Sequence, residues 1–397
     1  MTVIFCARMF ADIDNNVKIS KHPNSVSSHK HQAGLLDGLL ACGADVSVIN
    51  VQRVRGFPDY PEKFLKETPF LWNGRSLGIN LKRVNCFPLK NLSQSLSLLS
   101  ALEREVKKHG DEKVVLFLFN PGFVQSGILG HISRKFPNVT ISCMVGDLHG
   151  RYGLKQRGVK TLPAQLLGLL ADRFCSVYDN YVFVTKDMAS ALRIGNKPYV
   201  VVESLYVDTV REAPEAPEEE KRIFYAGSLS LDYGILHMLR AFSLIEDPDY
   251  RLVVAGNGDG RETLEEYAKG DRRIQYLGFI TPREVHLQQQ RAAVLISPRT
   301  SERNFVKYSF ASKTLDSLAS GKPYVAHRLP CDPPEYADYI QYADDESDEA
   351  LCAKIVEICS LPREERAKIG ANGRAFVLRE KNPKVMCQRV MDMWSES

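Results

Sequence analysis

Residues 307–323 read KYSFASKTLDSLASGKP, a stretch whose side chains can act on anions and hydroxyls. Lys307 and Ser309 stand where a short helix should open, and Lys313 and Asp316 lie one turn apart inside it. The upstream segment AVLISP reads as a strand that ends just before Arg299. Arg299, Lys307, Ser309 and Lys313 should therefore gather at the carboxyl end of a sheet. Unpaired N–H groups at a helix start carry about half a positive charge. Arginine adds a fork that matches two phosphate oxygens. The set suits a diphosphate, and the Asp316 carboxylate is placed to accept hydrogen bonds from two ribose hydroxyls. The same residues also make an ordinary solvated helix face, with an i,i+3 ion pair worth about 0.3 kcal/mol.

Other stretches extend this chemistry. Gly227-Ser228, at the end of the strand-like RIFYAG, lets a phosphate approach the backbone closely. AGNGDG (255–260) misses the G-x-G-x-x-G spacing and reads as a tight strand-to-helix turn lining a ligand cleft rather than a nicotinamide site. SHKHQAGLLDGL (28–39) places His29, Lys30 and His31 at a helix entrance. A metal would need a third ligand and a different pairing. The two histidines are instead candidates for gripping an acceptor phosphate, or ordinary helix-entry surface groups. MVGDLHGRYGLKQRGVK (144–160) follows a strand and carries Asp147, His149, Arg151, Lys155, Arg157 and Lys160. It is the candidate acceptor loop, with Asp147 or His149 near the attacking hydroxyl; a satisfied loop carboxylate and a surface histidine are the plain alternative. The leucine-rich TLPAQLLGLLADRF (161–174) suits a core helix or one that dips into a bilayer surface.

The elements that must hold these groups alternate strand and helix. TVIFCAR, DVSVINV, KVVLFLFN, VTISCMV, YVFVT and YVVVES precede a Pro/Ala/Glu-rich segment, REAPEAPEEEKR (211–222); RIFYAG, YRLVVAG, IQYLGF, AVLISP and PYVAH follow it. Such alternation predicts parallel sheets covered on both faces, here two Rossmann-like domains with ligands at the carboxyl ends of their strands. The expected division is an N-terminal domain over 1–205, a linker over 206–222, a C-terminal domain over 223–380, and a last helix over 381–397 that packs back on the first domain. A length of 397 residues agrees with two cores. Apolar runs such as VVLFLF are strand-sized, and nine cysteines without a C-x-x-C pair point to reduced thiols in a cytosol. Residues 1–205 carry 26 Lys/Arg against 16 Asp/Glu, and 206–397 carry 26 against 32. The basic first half should meet an anionic partner. Without interleaved aromatic stacking motifs, a membrane surface fits better than a nucleic acid.

The ordered set Pro298, Arg299, Lys307, Tyr308, Ser309, Phe310, Ser312, Lys313, Ser320, Gly321 and Pro323 resembles the donor motif of retaining family 4 glycosyltransferases of the GT-B fold. It is most similar to their polysaccharide-assembly branch, N-P-R followed by K-Y-S-F-P-S-K-x-x-E-Y and S-G-x-P-V. AGSLSLDYGILHMLRAF (226–242) and LPCDPPEYADYIQYADDES (329–347) extend the likeness. The resemblance implies two domains facing a central cleft. It also implies transfer of a sugar, with retention, from a nucleotide-sugar to a polyprenyl-diphosphate-linked saccharide at the inner face of the cell membrane. It implies no metal or other cofactor. Gly227, Ser228, Arg299, Lys307, Tyr308, Ser309, Ser312, Lys313 and Asp316 would then contact the donor. Arg299 and Lys313 would stabilise the leaving phosphate, Asp147 and His149 would serve the attacking hydroxyl, and His29, His31 and Arg151 would hold the acceptor. Where the wider family has two acidic residues with seven between, this chain has Tyr308 and Asp316; where it has an Arg and a Lys–Gly pair, this chain has Ser228 and Tyr233-Gly234. Neutralisation of the diphosphate then falls to Arg299, Lys307 and Lys313. A non-catalytic subunit, an epimerase of the same fold and a nicotinamide oxidoreductase are the alternatives.

Overall fold

A computed structural model describes residues 1–10, 27–120, 122–148, 175–207 and 217–396. The chain divides into two compact units, Met1–Leu205 with Pro383–Ser397, and Tyr206–Asn382. In the first, eight strands lie in the order Tyr199–Val201, Asn180–Phe183, Val139–Val145, Val114–Phe119, Thr2–Ala7, Asp45–Asn50, Arg75–Asn80 and Thr68–Trp72. All neighbours are parallel except the last pair. Val114–Phe119 is buried along its whole length, which explains its unbroken apolar run: helices cover both faces, so no position faces water. Chain order reverses beside Thr2–Ala7, the position in such sheets where ligands meet the strands' carboxyl ends. The last helix, Pro383–Glu396, packs on helix Ser27–Ala41. A Cβ on Gly38 would lie 2.3 Å from the Pro383 carbonyl oxygen, so only glycine permits this approach. Trp394 Nε1 donates to Ser142 Oγ (2.9 Å) and Asn180 Oδ1 (3.1 Å), tying the helix to the sheet.

The second unit holds six parallel strands in the order Ile274–Tyr276, Arg251–Asn257, Arg222–Ser228, Val294–Ser297, Tyr324–Ala326 and Gln341–Tyr342. Leu252 and Val254 face one apolar layer with Met238, Phe242 and Ile355; Val253 and Ala255 face the other with Leu315, Leu318 and Phe376. This is the period of two expected of a strand covered on both sides. The helix Pro282–Arg291 opens on the capping box read from the sequence: Thr281 and Glu284 bond each other's backbone N–H.

The described part of the acidic segment, residues 217–222, belongs to the second unit. Its sequence offers no core residue and reads as a linker; residues 217–222 are held to the second unit by charge. The Glu218 carboxylate, 7% exposed, binds Lys322 Nζ at 2.6 Å and Arg366 Nη2 at 2.7 Å, while Glu219 binds Arg222 and Arg291. Charge pairing takes the place of apolar burial here, a signal that hydropathy does not carry. Residues 208–216 lie outside the described residues.

Candidate active site

Arg299 follows strand Val294–Ser297 by two residues and is 7% exposed. Its guanidinium sits 5.4 Å from the Tyr233 ring and 5.5 Å from the Phe305 ring. Nε and Nη2 are buried without a hydrogen-bond partner. Gly234, beside Tyr233, has φ +85°, and a Cβ there would meet the Pro298 carbonyl oxygen at 2.0 Å. That contact sets the strand end against the start of helix Ile235–Ser243, whose N-cap is Gly234. The first amides of a helix lack intrahelical acceptors. An unsatisfied buried cation thus lies beside a helix entrance, an arrangement chemically suited to an anion. Asp332, after the next strand, accepts from Leu329 N (3.0 Å) and from the Tyr342 hydroxyl (3.1 Å). Burial raises its pKa, while those bonds and the Arg299 charge oppose the rise.

Of the remaining residues expected to bind the donor, Lys307 and Ser309 are placed differently. Residues Val306–Tyr308 form a 3-10 turn, and the helix begins only at Lys313 and ends at Ala319. Lys307 and Ser309 therefore do not open it. Buried Phe310 pins the chain between turn and helix, and Ser312 is the N-cap. Lys307 is exposed, its Nζ 5.1 Å from the half-buried Tyr308 ring. Lys313 and Asp316 form an ion pair at 3.4 Å with both side chains more than half exposed. Gly227 and Ser228 end strand Arg222–Ser228, with the Ser228 carbonyl accepting from the Tyr225 hydroxyl at 2.8 Å. The AGNGDG turn packs against the next residue: Gly260 N donates to Leu229 O at 2.7 Å and Leu229 N to Asn257 O at 3.0 Å.

A polar chain that sequence reading did not find lies in the same unit. His237, in the first turn of helix Ile235–Ser243, contacts the Asp348 carboxylate through Nδ1. Its Nε2 lies 2.7 Å from His327 Nε2, and His327 Nδ1 donates to the Asp345 carbonyl at 2.9 Å. That donation leaves His327 Nε2 as an acceptor for His237 Nε2–H. Burial and then His237 lower the His327 pKa, in keeping with an uncharged ring. The three side chains fix the entry of the helix that flanks Arg299.

In the first unit, Asp147 is exposed, two residues past strand Val139–Val145, and accepts from Asn120 Nδ2 at 3.3 Å. His29 Nδ1 accepts from Phe10 N at 3.3 Å, and burial followed by Arg53 lowers its pKa. The His31 ring lies 5.5 Å from that of Phe119, with Nε2 buried and unpartnered. Burial pushes its pKa from 6.5 to about 4. At neutral pH His31 thus brings a hydrogen-bonding ring, not a positive charge. His149 and Arg151 lie outside the described residues, as do 161–174.

The His31 shift predicts an acid limb of stability. As pH falls below about 6.5, the unfolded chain takes up this proton before the folded one. The contribution is complete above that pH and lost towards pH about 4, ~3 kcal/mol at most. Thermal melts should lose less midpoint on acidification in His31→Phe than in the wild type. Parallel curves for the two would contradict the assignment.

The two parallel α/β units define a GT-B fold. Residues 207–376 match the family model for Glycosyl transferases group 1. An uncharacterized glycosyltransferase of Methanocaldococcus jannaschii is 24% identical over 318 residues, covering 74% of this chain and 75% of that protein. Sucrose-phosphate synthase from Thermosynechococcus elongatus aligns with a TM-score of 0.65 at 14% identity, over 100% of this chain and 99% of its own. A mutant of S. aureus TarM, solved with fondaparinux, alpha-GlcNAc-glycerol and UDP, aligns with a TM-score of 0.61 at 9% identity, over 99% of this chain and 100% of its own. Among the described residues no helix is long and apolar enough to cross a membrane.

Proposed function

We propose that the protein transfers a sugar from a nucleotide-sugar to a polyprenyl-diphosphate-linked saccharide in surface polysaccharide assembly, with retention of configuration. The observation that carries this reading is Arg299, a buried guanidinium with two unpartnered nitrogens beside a helix entrance. The donor diphosphate supplies the acceptors those donors lack. Backbone amides at Ser228 and the start of helix Ile235–Ser243 add to the field that stabilises negative charge on the departing phosphate. That phosphate also takes the proton of the acceptor hydroxyl on the same face, so no protein nucleophile is needed. Lys307, Tyr308, Ser309, Ser312 and Lys313 line the donor side, and Asp316 turns from Lys313 to the ribose when the nucleotide binds. Asp147, with His149, serves the attacking hydroxyl, while His29, His31 and Arg151 contact the acceptor. The reaction runs at the inner face of the cell membrane without a metal. UDP in the TarM complex makes a uridine nucleotide the first choice of probe.

Titration with UDP-, GDP- and TDP-sugars, followed by slow donor hydrolysis without acceptor, tests the reading. One nucleotide class should bind, and Asp316→Ala should weaken it by about tenfold, the worth of a charge-assisted bond to a ribose hydroxyl. A folded protein that binds none of the three overturns it. The Lys313–Asp316 pair, already satisfied within itself, favours a second reading as a non-catalytic subunit, and that outcome would select it.

A further inference from the structure

Residues 55–96 of the first unit carry a cluster of exposed large apolar side chains. Phe87 is 95% exposed and Phe64 69%; Leu89, Leu92 and Leu96 are each more than half exposed, and Phe57 is exposed beside them in the fold. The leucines recur at i, i+3 and i+7 on helix Leu89–Lys108, whose core stripe is a different set that includes Leu98, Leu102 and Val106. Buried Asn85 staples the segments together. Its N–H donates to Lys63 O (2.7 Å), its carbonyl accepts from Phe57 N (2.8 Å), and its Nδ2 donates to Arg55 O (2.9 Å) and Glu62 O (3.1 Å). Phe64 pairs with Val84 in a two-stranded ribbon. These aromatic residues thus belong to one small, cross-braced substructure.

Cations surround it. Residues 53–96 hold eight Lys/Arg (53, 55, 63, 66, 75, 82, 83 and 90) against three Asp/Glu (59, 62 and 67); Arg55, Lys63, Lys66, Arg75 and Lys82 are exposed, whereas Arg83 is buried. Lys63 Nζ lies 4.8 Å from the Phe57 ring, and Arg83 Nη2 and Lys90 Nζ both donate to the Val54 carbonyl at 3.3 Å. Protein–protein interfaces are depleted in lysine, whereas apolar side chains interspersed with lysine and arginine characterise surfaces that lie in a lipid headgroup layer. We infer that this face docks on an anionic lipid bilayer, the phenylalanines and leucines entering the headgroup–acyl boundary and the cations meeting lipid phosphates. The Lys90 pKa is lowered to about 8 by burial and then by its neighbours Arg83 and Arg8. The inference rests on the lipid-linked acceptor reading for its purpose, since docking brings the unit to a membrane-held substrate, but its evidence is separate.

Co-sedimentation with phosphatidylcholine vesicles, alone or with about a third phosphatidylglycerol, tests it directly. The wild type should bind the anionic vesicles, and added salt should release it. The variant Phe64→Ser/Phe87→Ser/Leu92→Ser should lose about tenfold or more in partitioning, and Lys63→Gln/Lys66→Gln should bind more weakly with a flatter salt dependence. UDP titration of the same proteins reports the second unit and folding. Loss of nucleotide binding with vesicle binding intact would count against the transferase reading alone. Wild type that stays in the supernatant, or a serine variant that binds as well as wild type, overturns the docking face. So does a wild-type dimer that the serine variant abolishes, because a second copy would then cover the surface.

Discussion

Replacing Arg299 by glutamine is expected to lower affinity for the bound nucleotide about 100-fold while leaving the melting midpoint unchanged or raised. Two charge-assisted hydrogen bonds to phosphate oxygens are worth about 1.5 kcal/mol or more each, which gives that factor. The stability half follows from the ligand-free structure. Nε and Nη2 make no hydrogen bond, so the substitution sacrifices none there and removes the desolvation cost of a buried charge. What is lost is the stacking on Tyr233 and Phe305, about 1 kcal/mol, together with the attraction that favours ionised Asp332. Arg299→Lys keeps charge without the fork and should fall between, near tenfold. Calorimetric titration and thermal melts on the three proteins decide. If affinity holds while the midpoint collapses, Arg299 is a packing residue and the anion lies elsewhere.

The sheets were legible because their strands alternate with helices and because a doubly covered strand has to be apolar throughout, as VVLFLF is. The capping box was legible because its signal is confined to four residues. Arg299 could be placed from the strand before it. Its ring partners could not, since Tyr233 comes from another loop and meets Arg299 only through the Gly234–Pro298 contact. His237, His327 and Asp348 are 90 and 111 positions apart, and no local period links them. The helix carrying Lys313 was expected too early because Lys307 and Ser309 have the right chemistry for a helix entrance; burial of Phe310 instead delays the helix to Lys313. On helix Leu89–Lys108 an apolar residue alone does not say whether it faces core or solvent, so the exposed stripe needed coordinates.

Glu218→Ala should destabilise the second unit by about 3–5 kcal/mol, the cost of stranding buried cations. Lys322 and Arg366 lose their shared carboxylate, and Arg366, 2% exposed, keeps the carbonyls of Cys359 and Leu361 among the described residues. Burial works against ionised Glu218, but hydrogen bonds from Lys322 and Arg366 outweigh it and hold its pKa below the usual range. The stabilisation is therefore present above the ordinary carboxylate pKa and fades as pH falls through the folded value. Glu218→Ala/Lys322→Met should recover part of the loss, because it removes one stranded charge along with the anion. Urea unfolding of the single and double variants measures both steps. Segment 217–222 leads directly into strand Arg222–Ser228, whose far end carries Gly227 and Ser228, so nucleotide affinity should fall in Glu218→Ala as the strand entry loosens. A Glu218→Ala protein as stable as wild type would return these residues to the passive linker that their sequence suggests.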